Sequence, residues 1–282
     1  MRTLLVSLLA FALAACGNDY ADDMHEQHGA ETPEPTPAAA GADTLDVTAE
    51  SVAYATVGGE AVTGTLVRPA GASGPLPGVI VIHEWWGLND NVRDMARRLA
   101  AEGYAALAVD LYGGESAETP EAAQGLMRAA MGREAELTDN LRQAHAFLAD
   151  SLGSPAVGSV GWCFGGMWSL RAALALPDRL DAAVIYYGRP VTDADALRPL
   201  VMPVLGIFGE ADDSIPMTDV RAFESALDEA GVENEIVSYP GAQHAFANPS
   251  GGRYDAEAAE DAWARTTAFL AEHLRGEGAG GE

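Results

Sequence analysis

A cysteine framed by glycines is the first group in this chain with the setting for chemistry. In Gly161-Trp162-Cys163-Phe164-Gly165-Gly166 the cysteine follows a β-branched run (Val157 to Val160) and precedes a helical pattern. A tight strand-to-helix turn strains its central residue and leaves no room for flanking side chains, which is the mechanical reason for glycine on either side. The helix N-terminus would favour a thiolate at Cys163, and the backbone N–H of Phe164 is placed to bind an oxyanion. The plainer alternative is a buried cysteine that only packs.

Two further segments bear on that choice. Gly209-Glu210-Ala211-Asp212-Asp213-Ser214 and Gln243-His244-Ala245-Phe246 each follow an apolar run of strand character. They supply an acid to orient an imidazole and a histidine to manage the thiol proton. Either acid of the Asp212-Asp213 pair could also serve as a turn or helix cap. A third segment, His83-Glu84-Trp85-Trp86-Gly87, places a carboxylate among aromatic rings, where it needs a partner. Glu84 is therefore a candidate second acid near Cys163. The Trp85 N–H would complete an oxyanion hole and Trp86 would wall an apolar pocket; packed tryptophans with Glu84 facing water is the competing reading.

These residues need elements to hold them. Short β-branched runs predict strands over 51–57, 61–67, 78–83, 104–109, 157–162, 182–187, 204–208 and 235–239. Apolar residues three and four apart predict helices over 91–102, 120–131, 134–150, 165–176, 218–230 and 256–274. Such alternation defines an α/β domain with a mostly parallel twisted sheet and helices on both faces, and chemistry in such sheets sits at the carboxyl ends of strands. The order nucleophile, acid, histidine, each just past a strand, is that of the α/β-hydrolase fold.

Composition narrows the function classes. The 282 residues carry 42 acids against 16 cations, a formal charge of −26, and every cation is arginine. A nucleic-acid ligand is excluded for want of a basic face. Two cysteines, Cys16 and Cys163, make no disulfide framework, and no metal-ligand spacing such as H-E-x-x-H or C-x-x-C is present.

The N-terminus reads as a targeting segment. Residues 4–15 are apolar apart from Ser7, about twelve residues against the roughly 20 that a spanning helix needs. Leu13-Ala14-Ala15-Cys16-Gly17 resembles a lipoprotein signal, which implies lipidation at Cys16 and, with Gly17 next, the periplasmic face of the outer membrane; an ordinary secretory site giving a soluble periplasmic or secreted protein is the alternative. Residues 16–43 are acidic and rich in Ala, Pro and Thr, a composition too poor in large apolar groups to order itself, and are expected to form a flexible tether. Met24, His25 and His28 read as part of that tether rather than as metal ligands. The folded domain is then expected over 44–275, followed by a flexible tail, 276–282.

With these motifs in hand, the chain from about residue 44 to 274 resembles the dienelactone hydrolase (carboxymethylenebutenolidase-like) family of the α/β-hydrolases. The matching pieces are His83-Glu84-Trp85-Trp86-Gly87, Ala108-Val109-Asp110-Leu111-Tyr112, the Cys163 turn, Phe208-Gly209 through Asp212 to Pro216, and His244-Ala245-Phe246. The resemblance implies a hydrolase needing no cofactor, with Cys163 as nucleophile, His244 as base and acid, Asp212 rather than Asp213 as orienter, and Glu84 as partner of the resting thiol. It implies Trp86, Tyr112, Phe246 and Asn248 as substrate-pocket residues. Asn248 departs from the family, which carries there one of two arginines that hold an anionic substrate; Arg128, Arg189 and Arg253 remain as other cations. The expected substrate is thus a small ester or lactone, with dienelactone itself not implied. Alternatives left open are a thioesterase or other acyl hydrolase of the cell envelope, and a tethered binding protein that keeps the fold without turnover.

Overall fold

A computed structural model describes residues 20–22, 24–29 and 45–275. The apolar run at 4–15, Cys16 and the tail at 276–282 lie outside the described residues.

The eight expected strands form one sheet in the order β1-β2-β4-β3-β5-β6-β7-β8. β1 (Val47–Val57) and β2 (Glu60–Pro69) form an antiparallel hairpin around Gly58-Gly59, and β2 pairs antiparallel with β4 (Ala105–Val109). From β4 onward every pairing is parallel, through β3 (Gly78–Ile82), β5 (Val157–Trp162), β6 (Ala182–Tyr186), β7 (Val204–Gly209) and β8 (Asn234–Tyr239). β3 to β7 are buried along their whole length, as strands covered by helices on both faces must be. The sheet and covering helices make this an α/β-hydrolase fold.

The helices are α1 (Asp90–Ala101), α2 (Pro120–Met131), α3 (Glu134–Ala146), α4 (Phe164–Ala175), α5 (Ala194–Leu197), α6 (Met217–Ala230) and α7 (Ala256–Leu274). Their starts are set locally. Asn89, Thr119 and Asp255 each accept a backbone N–H of the first turn of α1, α2 and α7, satisfying a donor that the helix leaves open. The helix expected to run to 150 departs at Phe147 into a wider π-turn, Phe147–Ser151, and α5 is a single turn that no apolar period announced. α4, carrying the Cys163 turn, is buried almost all round, and its Ser169 hydroxyl bonds Ser159 of β5 at 2.8 Å.

One expectation is overturned. Residues 20–22 and 24–28, assigned by composition to a disordered tether, are helical, and Tyr20, Ala21, Met24 and His28 are buried. Average composition hid the reason: Tyr20, Met24 and His28 fall at i, i+4 and i+8, one face of a helix. That face rests on the main domain. Among the described residues no helix is long and apolar enough to cross a membrane, and no cluster of three or more His, Cys, Asp or Glu could hold a metal ion.

Candidate active site

The loops after β3, β5, β7 and β8 converge at the carboxyl edge of the sheet, bringing Glu84, Cys163, Asp212 and His244 into one buried centre. At the turn after β5 Cys163 has φ 56° and ψ −117°, a strained conformation for a residue with a side chain. Its backbone N–H bonds the Tyr186 carbonyl at 3.0 Å, holding the turn against β6. The flanking glycines are there for space: a Cβ on Gly161 would run into the carbonyl of Gly165, and one on Gly165 into that of Ile82. Phe164 is the first residue of α4, so its N–H has no acceptor within the helix.

Asp212 is held from both sides. Its Oδ1 accepts the N–H groups of Ser214 (2.8 Å) and Ile215 (3.0 Å), and its Oδ2 accepts from His244 Nδ1 at 2.7 Å. Burial pushes Asp212 up, but the charge of His244 and these donors outweigh it and hold the carboxyl below its ordinary range. For His244, burial disfavours the charged ring, while Asp212 and then Cys163 favour it more strongly; the balance is pushed up to about 10. The second ring nitrogen, Nε2, is buried on the side of Cys163. An imidazole so placed can exchange a proton with the thiol while Asp212 fixes its tautomer.

Glu84 is 4% exposed and takes neutral donors: the amide of Asn248 on Oε2 and the phenol of Tyr187 on Oε1 at 3.4 Å. Tyr187 stays protonated, its pKa raised well above the ordinary phenol by burial and then by the charges of Glu84 and Cys163. The preceding His83 is structural. Its Nε2 accepts the N–H of Leu111 (3.1 Å) and its Nδ1 donates to the Glu84 carbonyl (2.6 Å); burial lowers its pKa and keeps it neutral.

The four pocket positions divide. Trp86 and Asn248 line the cavity with Glu84, Trp85, Cys163 and His244. Tyr112 instead packs on the rings of His83 and Phe164, at 4.6 and 5.4 Å, because the loop after β4 folds beneath the site. Phe246 is fully buried between Tyr187 and Tyr239 and serves as the floor under His244 rather than as pocket wall.

Sequence reasoning missed the other wall. Met24, His28 and Arg253 line the same cavity. The His28 ring lies 4.8 Å from that of His244, and Tyr20 sits beneath the Arg189 guanidinium. Burial first, then the charges of Cys163 and Asp212, raise the Tyr20 phenol well above its ordinary pKa, so it remains neutral. The spacing of Tyr20, Met24 and His28 was the available signal.

A strained cysteine at a strand-to-helix turn, joined to an ordered His–Asp pair on this sheet, defines a protein of the α/β-hydrolase class. The model of the dienelactone hydrolase family matches residues 62–274, so the chain belongs to that family, whose members hydrolyse ester or lactone bonds. Among similar proteins, Protein usf of Aquifex pyrophilus is 37% identical over 206 residues, spanning 70% of this chain and 89% of that one. A carboxymethylenebutenolidase-like protein of Saccharolobus solfataricus is 33% identical over 233 residues, with the same two coverages, 70% and 89%. Of solved structures, a dienelactone hydrolase-like promiscuous phosphotriesterase from metagenomic libraries superposes with TM-score 0.73 at 27% identity, covering 81% of this chain and 99% of that one.

Proposed function

We propose that the protein hydrolyses small carboxylic esters or lactones through a covalent acyl-enzyme on Cys163. The observation that carries this reading is the 2.7 Å bond from His244 Nδ1 to Asp212, beside a buried cysteine at a strained turn. The Cys163 thiolate attacks the carbonyl carbon, and the N–H groups of Phe164 and Trp85 receive the oxyanion. As the tetrahedral intermediate collapses, the carbon–oxygen bond breaks and the His244 imidazolium gives its proton to the departing alkoxide. Water then loses a proton to His244 and attacks the thioester, releasing the acid and restoring the thiolate. Glu84, held by Asn248 and Tyr187, partners the resting thiol. By its signal resemblance the chain is lipid-anchored at Cys16 in a bacterial envelope, which labelling of the native chain and of Cys16→Ala with a radioactive fatty acid tests directly.

Hydrolysis of a panel of aryl esters, thioesters and lactones by the native protein, Cys163→Ala and His244→Ala tests the chemistry. Both variants are expected to lose about three orders of magnitude or more in kcat/KM. Equal activity in all three would reject Cys163 as the nucleophile.

A further inference from the structure

The catalytic centre is closed by the chain itself. Tyr20, Ala21, Met24 and His28 present one face of the N-terminal helical segment to the site, each 2% exposed or less. The cavity left between Met24, His28, Trp85, Trp86, Cys163 and His244 measures about 20 Å³. That is room for one water and not for an acyl group. Cys163 and His244 are each 2% exposed beneath the segment, which leaves little room for an ester to meet the thiol while it is in place.

The docking has a polar frame as well as an apolar face. Arg253 donates to His28 Nδ1 (2.9 Å) and to the Gln27 carbonyl (2.9 Å). An always-charged donor on Nδ1 leaves the proton of His28 on Nε2, which donates to Ser214 Oγ at 3.2 Å; that hydroxyl donates to Gln27 Oε1 at 2.5 Å. Gln27 Nε2 in turn donates to the Asp213 carbonyl at 3.3 Å. The segment thus grips the loop that carries Asp212. At its other end Asp22 pairs with Arg128, and Gln124 donates to the Ala21 carbonyl at 3.3 Å and to Asp22 at 3.2 Å.

We infer that residues 20–22 and 24–28 act as an intramolecular plug, helical turns whose Tyr20-Met24-His28 face occupies the substrate site and holds the hydrolase inactive until it undocks. The match of face to cleft is specific: the Met24 thioether and the His28 ring line the space with Trp85, Trp86 and Cys163, the Tyr20 phenol lies by Cys163 and Arg189, and the two ends are fixed by Arg253 and Arg128. Substrate binds only the undocked fraction of molecules, so apparent affinity falls by that fraction.

The plug is tested in the otherwise intact chain with Met24→Asp and, separately, Ala21→Arg, each of which sets a charge in the buried face without touching a catalytic group. Two rates are read, alkylation of Cys163 by iodoacetamide and kcat/KM on a neutral aryl ester, so that access is measured apart from turnover. Both rates are expected to rise at least about tenfold in both variants, and a synthetic peptide of residues 17–29 is expected to lower them again. The turnover arm rests on the hydrolase reading; the alkylation arm does not. Faster alkylation with no turnover in any of the proteins keeps the plug and rejects the hydrolase. Native and variant proteins alkylated at equal rates would overturn the plug.

Discussion

Asn248 donates its side-chain amide to Oε2 of Glu84, across 164 residues of sequence, and so helps to fix a buried carboxylate beside Cys163. Tyr187 reaches the other oxygen, again as a neutral donor. Four residues after His244, this is where the resembling family carries an arginine. With Asn in its place, the amide is spent on Glu84 and on Ser250, whose N–H and hydroxyl reach Asn248 Oδ1 at 2.8 and 2.7 Å. Position 248 therefore helps to hold the acid in place instead of supplying a charge, and the cation lining the cavity is Arg253.

Truncating that amide leaves one oxygen of a buried carboxylate without its donor. Asn248→Ala is expected to cost about 1–3 kcal/mol, a fall in Tm of roughly 3–10 °C for a domain of this size. Differential scanning calorimetry reads it; an unchanged Tm would mean that Glu84 finds a replacement donor in solvent.

Two glycines give an opposed pair of outcomes. In Gly165→Ala the new Cβ meets the carbonyl oxygens of Ile82 and His83, the latter at 2.6 Å, and the loop bearing Glu84 and Trp85 must shift. We expect destabilisation of about 1–3 kcal/mol and a fall of at least about tenfold in kcat/KM, since the oxyanion donor moves with that loop. Gly125, within α2, has open space around its Cβ position, and Gly125→Ala is expected to raise stability by up to about 1 kcal/mol. Equal melting temperatures in the two variants would refute the close-approach account of Gly165.

The strands, the turn at Cys163 and the positions of Asp212 and His244 were legible because each depends on local pattern: β-branched runs, a glycine frame, an acid or histidine just past a strand. Phe246 and Tyr112 lie outside the cavity lining because sequence puts a residue at a strand end without saying which way its loop folds; both rings turn into the aromatic layer around the site. The N-terminal segment was missed for a different reason. Its helix is short and acidic and finds its stability on the domain surface rather than in its own composition, so averaging over 16–43 concealed the one face that docks.

The acid excess makes its own prediction. With a formal charge of −26 and ion pairs such as Arg68–Glu50 and Arg265–Asp261 lying at the surface, repulsion among unpaired carboxylates is the larger exposed electrostatic effect. Added salt screens it at a Debye length of about 3 Å in molar solution. The urea midpoint is expected to rise in 1 M NaCl, and a midpoint that falls would show the arginine pairs to be the stronger contribution.

Asp212→Asn separates the catalytic from the structural work of the His244 pair. The amide can present the wrong hydrogen-bonding group to Nδ1, and turnover is expected to fall by about four orders of magnitude, as it does in comparable triads. The stability effect has a pH window. His244 is raised to about 10 in the folded protein, chiefly by Asp212 against the opposing effect of burial, so its contribution is complete below the ordinary histidine value near 6.5 and fades as pH climbs through about 10. Asp212 is lowered on folding, so its contribution is complete above the ordinary carboxyl value and fades as pH falls through the depressed one. Between those limits both partners are charged and the pair is at full strength. The Tm gap between native and Asp212→Asn is therefore expected to be widest from about pH 5 to 7 and to narrow toward pH 10 and toward pH 3. A gap that stays constant across that range would mean that His244 is neutral in the folded protein, and that its bond to Asp212 orients the ring without charging it.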